Sequence, residues 1–300
     1  MGRIYSPGKL MLTSEYFAVD GALVLAVATK PGQEFFFEEN DDQQSVVFWE
    51  AYHQNEIWLT AKIDYKNWTV LETNLPENAV FILKVLQHVQ QLSDIRFKSD
   101  YSYHLKTNLQ FPADYGLGSS STLMTNLAEW SQIDPFILNE KSLGGSGYDI
   151  AVAQAKCAVL YRNQPDIFYE KVIYHPPFAG ELIFIHLNLK QNSREGIQLY
   201  RSKSKLEELI SFFSDLTKKI LLCGELEKFS ALMMQHEQEI SHFIGIPTAK
   251  SLYFKDCPVF VKSLGAWGGD FVMSQKFTGY EDYFRGKGFT TIFSWSDLID

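Results

Sequence analysis

The most pointed chemistry in this chain lies in FPADYGLGSSSTLMTNLAEW, residues 111 to 130. Gly116 and Gly118 permit positive φ and let the backbone approach a ligand with no Cβ in the way. Leu117 sits between them, and Ser119, Ser120 and Ser121 follow where an apolar run begins, at the start of a predicted helix. The first N–H groups of a helix lack intrahelical acceptors, and together with the helix dipole they favour an anion. A hydroxyl in such a loop also suits Mg2+, a hard cation that takes oxygen donors. The same pattern fits an ordinary serine-capped helix start after a glycine turn. No lysine follows Gly118, so the nucleotide motif that ends in Gly-Lys-Ser/Thr is absent.

Three more stretches carry glycine beside reactive side chains. In SPGKLMLTSEY, residues 6 to 16, a Pro7-Gly8 turn precedes Lys9, which launches a predicted strand that Glu15 ends. Lys9 is either a surface lysine or a cation able to neutralise phosphate or lower a hydroxyl's pKa. In GGSGYDIA, residues 144 to 151, Asp149 stands at a predicted helix start. There it is either a helix-stabilising carboxylate or a general base. In KSLGAWGGD, residues 262 to 270, glycines between two strand-like runs permit close backbone packing against a loop or ligand.

The elements that must position these groups read as a strand-rich first third followed by mixed structure. Leu23 to Ala28 fits a buried strand, with a turn at Lys30-Pro31-Gly32. Further strands are predicted around 35–37, 46–48, 57–59 and 101–105, and a helix over 78–92. Helices follow from Ser119 and from about Tyr148, a strand over 182–187, and helices over about 195–219 and 225–243. Strand-like pieces near Val259 and Phe271 close the pattern, which argues for α+β rather than a doubly wound parallel sheet.

Composition narrows the function classes. The chain has 300 residues, 46% hydrophobic and 15% aromatic, enough for a sizeable core. A net charge of −9 argues against nucleic-acid binding. Cys157, Cys223 and Cys257 form no metal-ligand pattern and read as buried reduced thiols. The opening MGRIYSPGKLMLTSEYF has no signal-peptide pattern, and no apolar stretch nears the ~18 residues that span a bilayer. A soluble, cytoplasmic protein is expected.

Taken in this order and spacing, the motifs resemble the GHMP kinase superfamily, which includes galactokinase, homoserine kinase, mevalonate kinase and phosphomevalonate kinase. SPGKLMLTSEYFAVDGALVLAVA is similar to its N-terminal motif, PADYGLGSSSTL to its phosphate loop, and KSLGAWGGDFVM to its C-terminal glycine motif; the resemblance spans residues 4 to about 274. Glu15-Tyr16, GGSGYD and Gly268-Gly269-Asp270 are similar to the phosphomevalonate kinase branch, and LNLKQNSREGI resembles a loop of both mevalonate-pathway kinases. The chain departs from the pattern at Trp267, which replaces a glycine, at Ser121, where alanine is common, and at Thr13-Ser14, which replace a small residue and glycine.

What the resemblance implies is a two-domain α+β fold, with an S5-like α/β nucleotide-binding domain at 1–165 and a ferredoxin-like α+β domain at 166–300. It implies an ATP-dependent kinase that phosphorylates mevalonate or phosphomevalonate; the alternatives are a sugar- or homoserine-type kinase, or a binding homologue without transfer activity. Residues 116 to 121 would cradle the ATP phosphates, with Ser120 a Mg2+ ligand and Glu140 the nearest candidate for a carboxylate ligand. Asp149 would act as base or field source and Lys9 would pair with it. Glu15, Tyr16, Ser146, Lys190, Ser193, Arg194 and Gly265 would line the acceptor side. The expected partners are ATP and a small acceptor, with neither nucleic acid nor membrane, in a monomer or homodimer.

Overall fold

The computed structural model of the chain describes residues 1–188, 193–203, 207–265, 267 and 269–299. These residues form two compact units. The first comprises Met1–Gly8, Pro31–Ala113 and Leu117–Lys156, and the second Lys9–Lys30, Asp114–Gly116 and Cys157–Asp300.

The chain opens with strands β1 (Gly2–Met11), β2 (Val24–Asn40), β3 (Val46–His53), β4 (Glu56–Asp64) and β5 (Thr69–Thr73). Helix α1 (Pro76–Leu92), strand β6 (Ser102–Leu109), and helices α2 (Ser119–Ser131), α3 (Pro135–Ser142) and α4 (Tyr148–Ala155) follow. In the first unit the strands run in the order β5-β4-β3-β6-β2, with the residues of β2 beyond Lys30 paired to β6. β3 and β6 are parallel, and the other neighbours in this run are antiparallel. Alternation along β3 turns Val47, Trp49 and Ala51 inward. There they meet Ile82, Val85, Leu86 and Val89 of α1 and Leu123, Leu127 and Trp130 of α2 in one apolar core. Fully burying side chains of this size is worth roughly 1.5–3 kcal/mol each, which is what holds the helices on the sheet.

The second unit takes strands β7 (Val159–Arg162) and β8 (Phe168–Lys171) beside the first residues of β2. It continues through β9 (Leu182–His186), α5 (Ser193–Arg201), α6 (Glu207–Leu221), α7 (Leu226–Ile244) and α8 (Ala249–Tyr253). β10 (Val261–Leu264), β11 (Phe271–Gln275), α9 (Tyr280–Gly286), β12 (Ile292–Ser294) and α10 (Trp295–Leu298) complete it. Its sheet has the order β10-β11-β9-β12, antiparallel throughout. Phe17, Tyr200, Phe213, Ile240 and Trp267 build one of its cores. The mixed sheets and helices agree with the predicted α+β class.

Several boundaries differ from the sequence reading. Pro7 and Gly8 lie inside β1 rather than in a turn, and the strand ends at Met11, before Glu15. β1 pairs with β2 at one side, and a proline's missing N–H is tolerated on such an edge. Lys30, Pro31 and Gly32 likewise lie inside β2. A Cβ on Gly32 would overlap the Ser6 carbonyl and the Tyr5 ring, so this glycine serves close strand approach rather than a turn. The predicted 195–219 helix is two helices, α5 and α6. All three cysteines are unpaired, but only Cys257 is buried; Cys157 and Cys223 are partly exposed.

Candidate functional site

In the first unit the site is built around the start of α2. Its N-cap is Gly118, held at φ 86° with no side-chain cap, so the N–H groups of the first turn are left to another acceptor. The serines do other work: Ser121 Oγ donates to the Gly118 carbonyl at 2.9 Å. The turn is fixed to β2 by the Thr122 hydroxyl, 2.9 Å from Gln33 Oε1, and by Asn126 Nδ2, which donates to the Gln33 carbonyl at 3.0 Å. Leu117 anchors the loop from beneath, fully buried, while Ser119 is half-buried and Ser120 exposed.

Ser119 and Ser120 open onto a cavity of about 440 Å3 between the sheet and helices α1 and α2. Its walls are mainly apolar, with Trp49, Trp58, Phe81, Ile82 and Leu123, and Asn78, Thr107 and Gln33 add polar groups. Two wall residues, Trp49 and His53, carry ring nitrogens (Nε1 and Nε2) with no hydrogen-bond partner among the described residues. A volume of this size suits a planar ligand of drug-like dimensions held by a few polar groups.

Helix α4 packs on α2 and starts in the same manner, from Gly147 at φ 86° with no side-chain cap. Ser146 is half-buried just before it, in the turn that Asn139 ties down by donating to the Gly144 carbonyl at 3.0 Å. Asp149 occupies the first turn, half-buried, with Oδ1 accepting the Ile150 N–H at 3.0 Å. Glu140 is exposed on α3. Among the described residues no three His, Cys, Asp or Glu side chains gather as a metal cluster. Ser120 presents an exposed hydroxyl oxygen at the start of α2, the kind of hard donor that Mg2+ takes.

In the second unit, Lys9 Nζ donates to the Gly116 carbonyl at 2.8 Å. Gly116 has φ 67°, and a Cβ there would overlap the Asp270 carboxylate, so the loop's first glycine is required both for conformation and for space. Gly265 follows β10 at φ 71°. Tyr16, at φ 65°, accepts the Trp267 N–H on its hydroxyl at 3.2 Å, and burial pushes its phenol pKa up. Trp267 is only 4% exposed and packs with Phe17, Tyr200 and Phe213, so the aromatic in the glycine motif is a core residue. Helix α5 reaches Tyr16 at Gly196, where a Cβ would press on the phenol. Lys190 and the side chains of Ser193 and Arg194 lie outside the described residues.

Glu15 is placed by a set of groups that sequence reasoning did not assign. It is 1% exposed, and Oε1 accepts from Lys262 Nζ at 2.5 Å. Lys262 also donates to the Ser263 carbonyl and lies 3.8 Å from Glu237 Oε2. Glu237 in turn accepts from Ser263 Oγ at 2.8 Å and from the Ser263 N–H at 3.1 Å. His236 Nε2 lies 3.5 Å from Glu15 Oε2 and accepts the Ser14 N–H at 2.7 Å. Burial pushes the Glu15 carboxyl up to about 7 despite the opposing pull of Lys262, and burial holds His236 well below 6.5. Buried charges survive only when paired in this way. Lys262 was visible in the C-terminal motif, but nothing local marks Glu15 as its partner.

No protein-family model matches the chain. No curated protein matches it either. Solved structures do. The Methanococcus jannaschii mevalonate kinase is 15% identical, with a TM-score of 0.68 over 97% of this chain and 96% of that one. A Streptococcus pneumoniae phosphomevalonate kinase, solved with phosphomevalonate and AMPPNP, is 15% identical, with a TM-score of 0.67 over 98% of this chain and 100% of that one. The Lactococcus lactis galactokinase, solved with galactose, is 15% identical, with a TM-score of 0.67 over 97% and 92%. Near-complete coverage on both sides at such low identity establishes architecture: the chain shares the fold of these three structures.

Proposed function

We propose that this protein is an ATP-dependent phosphotransferase acting on a small anionic acceptor, with mevalonate or phosphomevalonate the acceptors its motifs favour. The observation that carries the reading is the 440 Å3 apolar cavity that includes Ser119 and Ser120, at the uncapped start of α2. A flat base fits the cavity, and the phosphates that follow it meet a helix N-terminus built to accept anions. The fold shared with kinases of sugar and mevalonate-type acceptors supports the same reading.

Phosphoryl transfer asks the protein for position and charge rather than covalent chemistry. The N–H groups of residues 118 to 121 bind the phosphates, and the Ser120 hydroxyl is the protein oxygen offered to Mg2+. Bound there, the metal would neutralise charge on the transferred group. Asp149 uses Oδ1 to hold the Ile150 N–H, which fixes the carboxylate and leaves Oδ2 to take the acceptor's hydroxyl proton. The Lys9 ammonium offsets developing negative charge.

The test is a coupled assay of ADP release with mevalonate, phosphomevalonate, galactose and homoserine. Asp149→Asn and Lys9→Ala should each lower turnover by about 100-fold or more while the protein stays folded. Near-normal turnover in both variants would remove the catalytic assignment. Nucleotide binding with no ADP from any acceptor would instead leave a binding protein.

A further inference from the structure

The buried group around Glu15 contains a conflict that ionisation resolves. His236 is fully buried, and its Nε2 accepts the Ser14 N–H at 2.7 Å, so the ring proton sits on Nδ1. Glu15 Oε2, 3.5 Å from the same nitrogen, has no hydrogen-bond partner among the described residues. Two acceptor atoms face one another with no proton between them, and an imidazole nitrogen has one lone pair. We infer that His236 is a positioning residue: its lone pair holds the Ser14 amide while Glu15 is ionised, and a proton taken up at Glu15 Oε2 competes for that lone pair and resets the Ser14–Tyr16 turn.

The neighbours make this turn a transmitter. Ser14 and Tyr16 both sit at φ 65°, a positive value that side-chain-bearing residues seldom adopt. Tyr16 passes any shift to the C-terminal glycine loop, because its hydroxyl takes the Trp267 N–H. The charged and titratable groups facing Glu15 are Lys262 from β10 and His236 and Glu237 from α7. The Tyr16 phenol feels Glu15 and also Asp270. From α6 come the Phe213 ring against His236 and the Thr217 hydroxyl against Ser14.

Ionisation falls in an accessible range. With the carboxyl pushed up to about 7 by burial, the folded chain holds this proton more tightly than the unfolded one. Its contribution to stability is therefore complete below the unfolded carboxyl range and is lost as pH rises through about 7. His236, held below 6.5, acts in the opposite sense: its contribution is present above 6.5 and lost as pH falls. Local shifts therefore separate the two groups better than a melting curve.

The experiment follows the backbone amide resonances of Ser14 and Trp267 in the full, unliganded chain between about pH 6 and about pH 8, in wild type and Glu15→Gln. Glutamine keeps the shape of a protonated glutamate and cannot ionise. Both wild-type amides should move through one inflection near 7, and both should stay fixed in Glu15→Gln. Flat wild-type titrations, or an inflection that persists in Glu15→Gln, overturn the inference. Movement of Ser14 without Trp267 overturns the relay. Should Glu15→Gln fail to fold, the wild-type titration still decides. The relevance of this turn to acceptor binding rests on the kinase reading. The titration does not, since it uses no nucleotide and stands whether or not ADP is released.

Discussion

The two units handle polar groups in opposite ways. At the start of α2 the first unit leaves N–H groups without a side-chain cap, a serine hydroxyl exposed, and two ring nitrogens of the cavity wall without partners among the described residues. Around Lys262 the second unit seals two carboxylates, an ammonium and an imidazole away from water and joins them through Glu15 Oε1, Glu237 and His236 Nε2. Unmet hydrogen-bonding capacity beside open volume is what a ligand site requires, whereas satisfied charge in a closed interior fixes backbone. Both regions carry motifs of the same apparent rank in the sequence, so glycine and charge alone do not tell binding from positioning.

The largest test of this contrast is Lys262→Met. It leaves Glu15 and Glu237 buried without their cation, and urea unfolding should show a loss of about 3–5 kcal/mol. A change within experimental error would mean that the carboxylates are held by their other partners. Next comes Ala51→Leu, which places a larger side chain at a cavity-wall position between Trp49 and His53. Calorimetry should show nucleotide affinity down about tenfold or more, about 1.4 kcal/mol, with the protein still folded. Unchanged affinity would take the base out of this cavity. The smallest effect is expected from Tyr16→Phe, which removes the acceptor of the Trp267 N–H and should cost about 1 kcal/mol of stability.

Much of this was legible in the chain. The break from glycine to an apolar period gave the start of α2 at Ser119, and the same pattern placed α4 at Tyr148. The strands around Pro7 and Pro31 were not legible, because whether a proline ends a strand depends on which edge is paired, a tertiary fact. Helix α3 went unread although its signal was present: Asp134 caps the Phe136 and Ile137 N–H groups, with Pro135 in the first turn. For the site, residue types around Gly116–Ser121 carried the anion chemistry, but the cavity wall is drawn from strands and helices that only folding brings together. The partners of Glu15 lie far away in sequence. Lys262 is 247 residues distant, and His236 is 222 residues from Ser14.

Ser14 illustrates what such distance means for sequence drift. It holds a glycine-type conformation while its hydroxyl donates to the Leu23 carbonyl at 2.7 Å and lies 3.2 Å from Thr217, which itself contacts Thr13 at 2.8 Å. Glycine at position 14 would ease the backbone and remove one of two donors to the Leu23 carbonyl, leaving it to the Thr217 hydroxyl at 2.8 Å. What position 14 can tolerate is therefore set by residue 217 on α6, two sites that an alignment column would treat as unrelated.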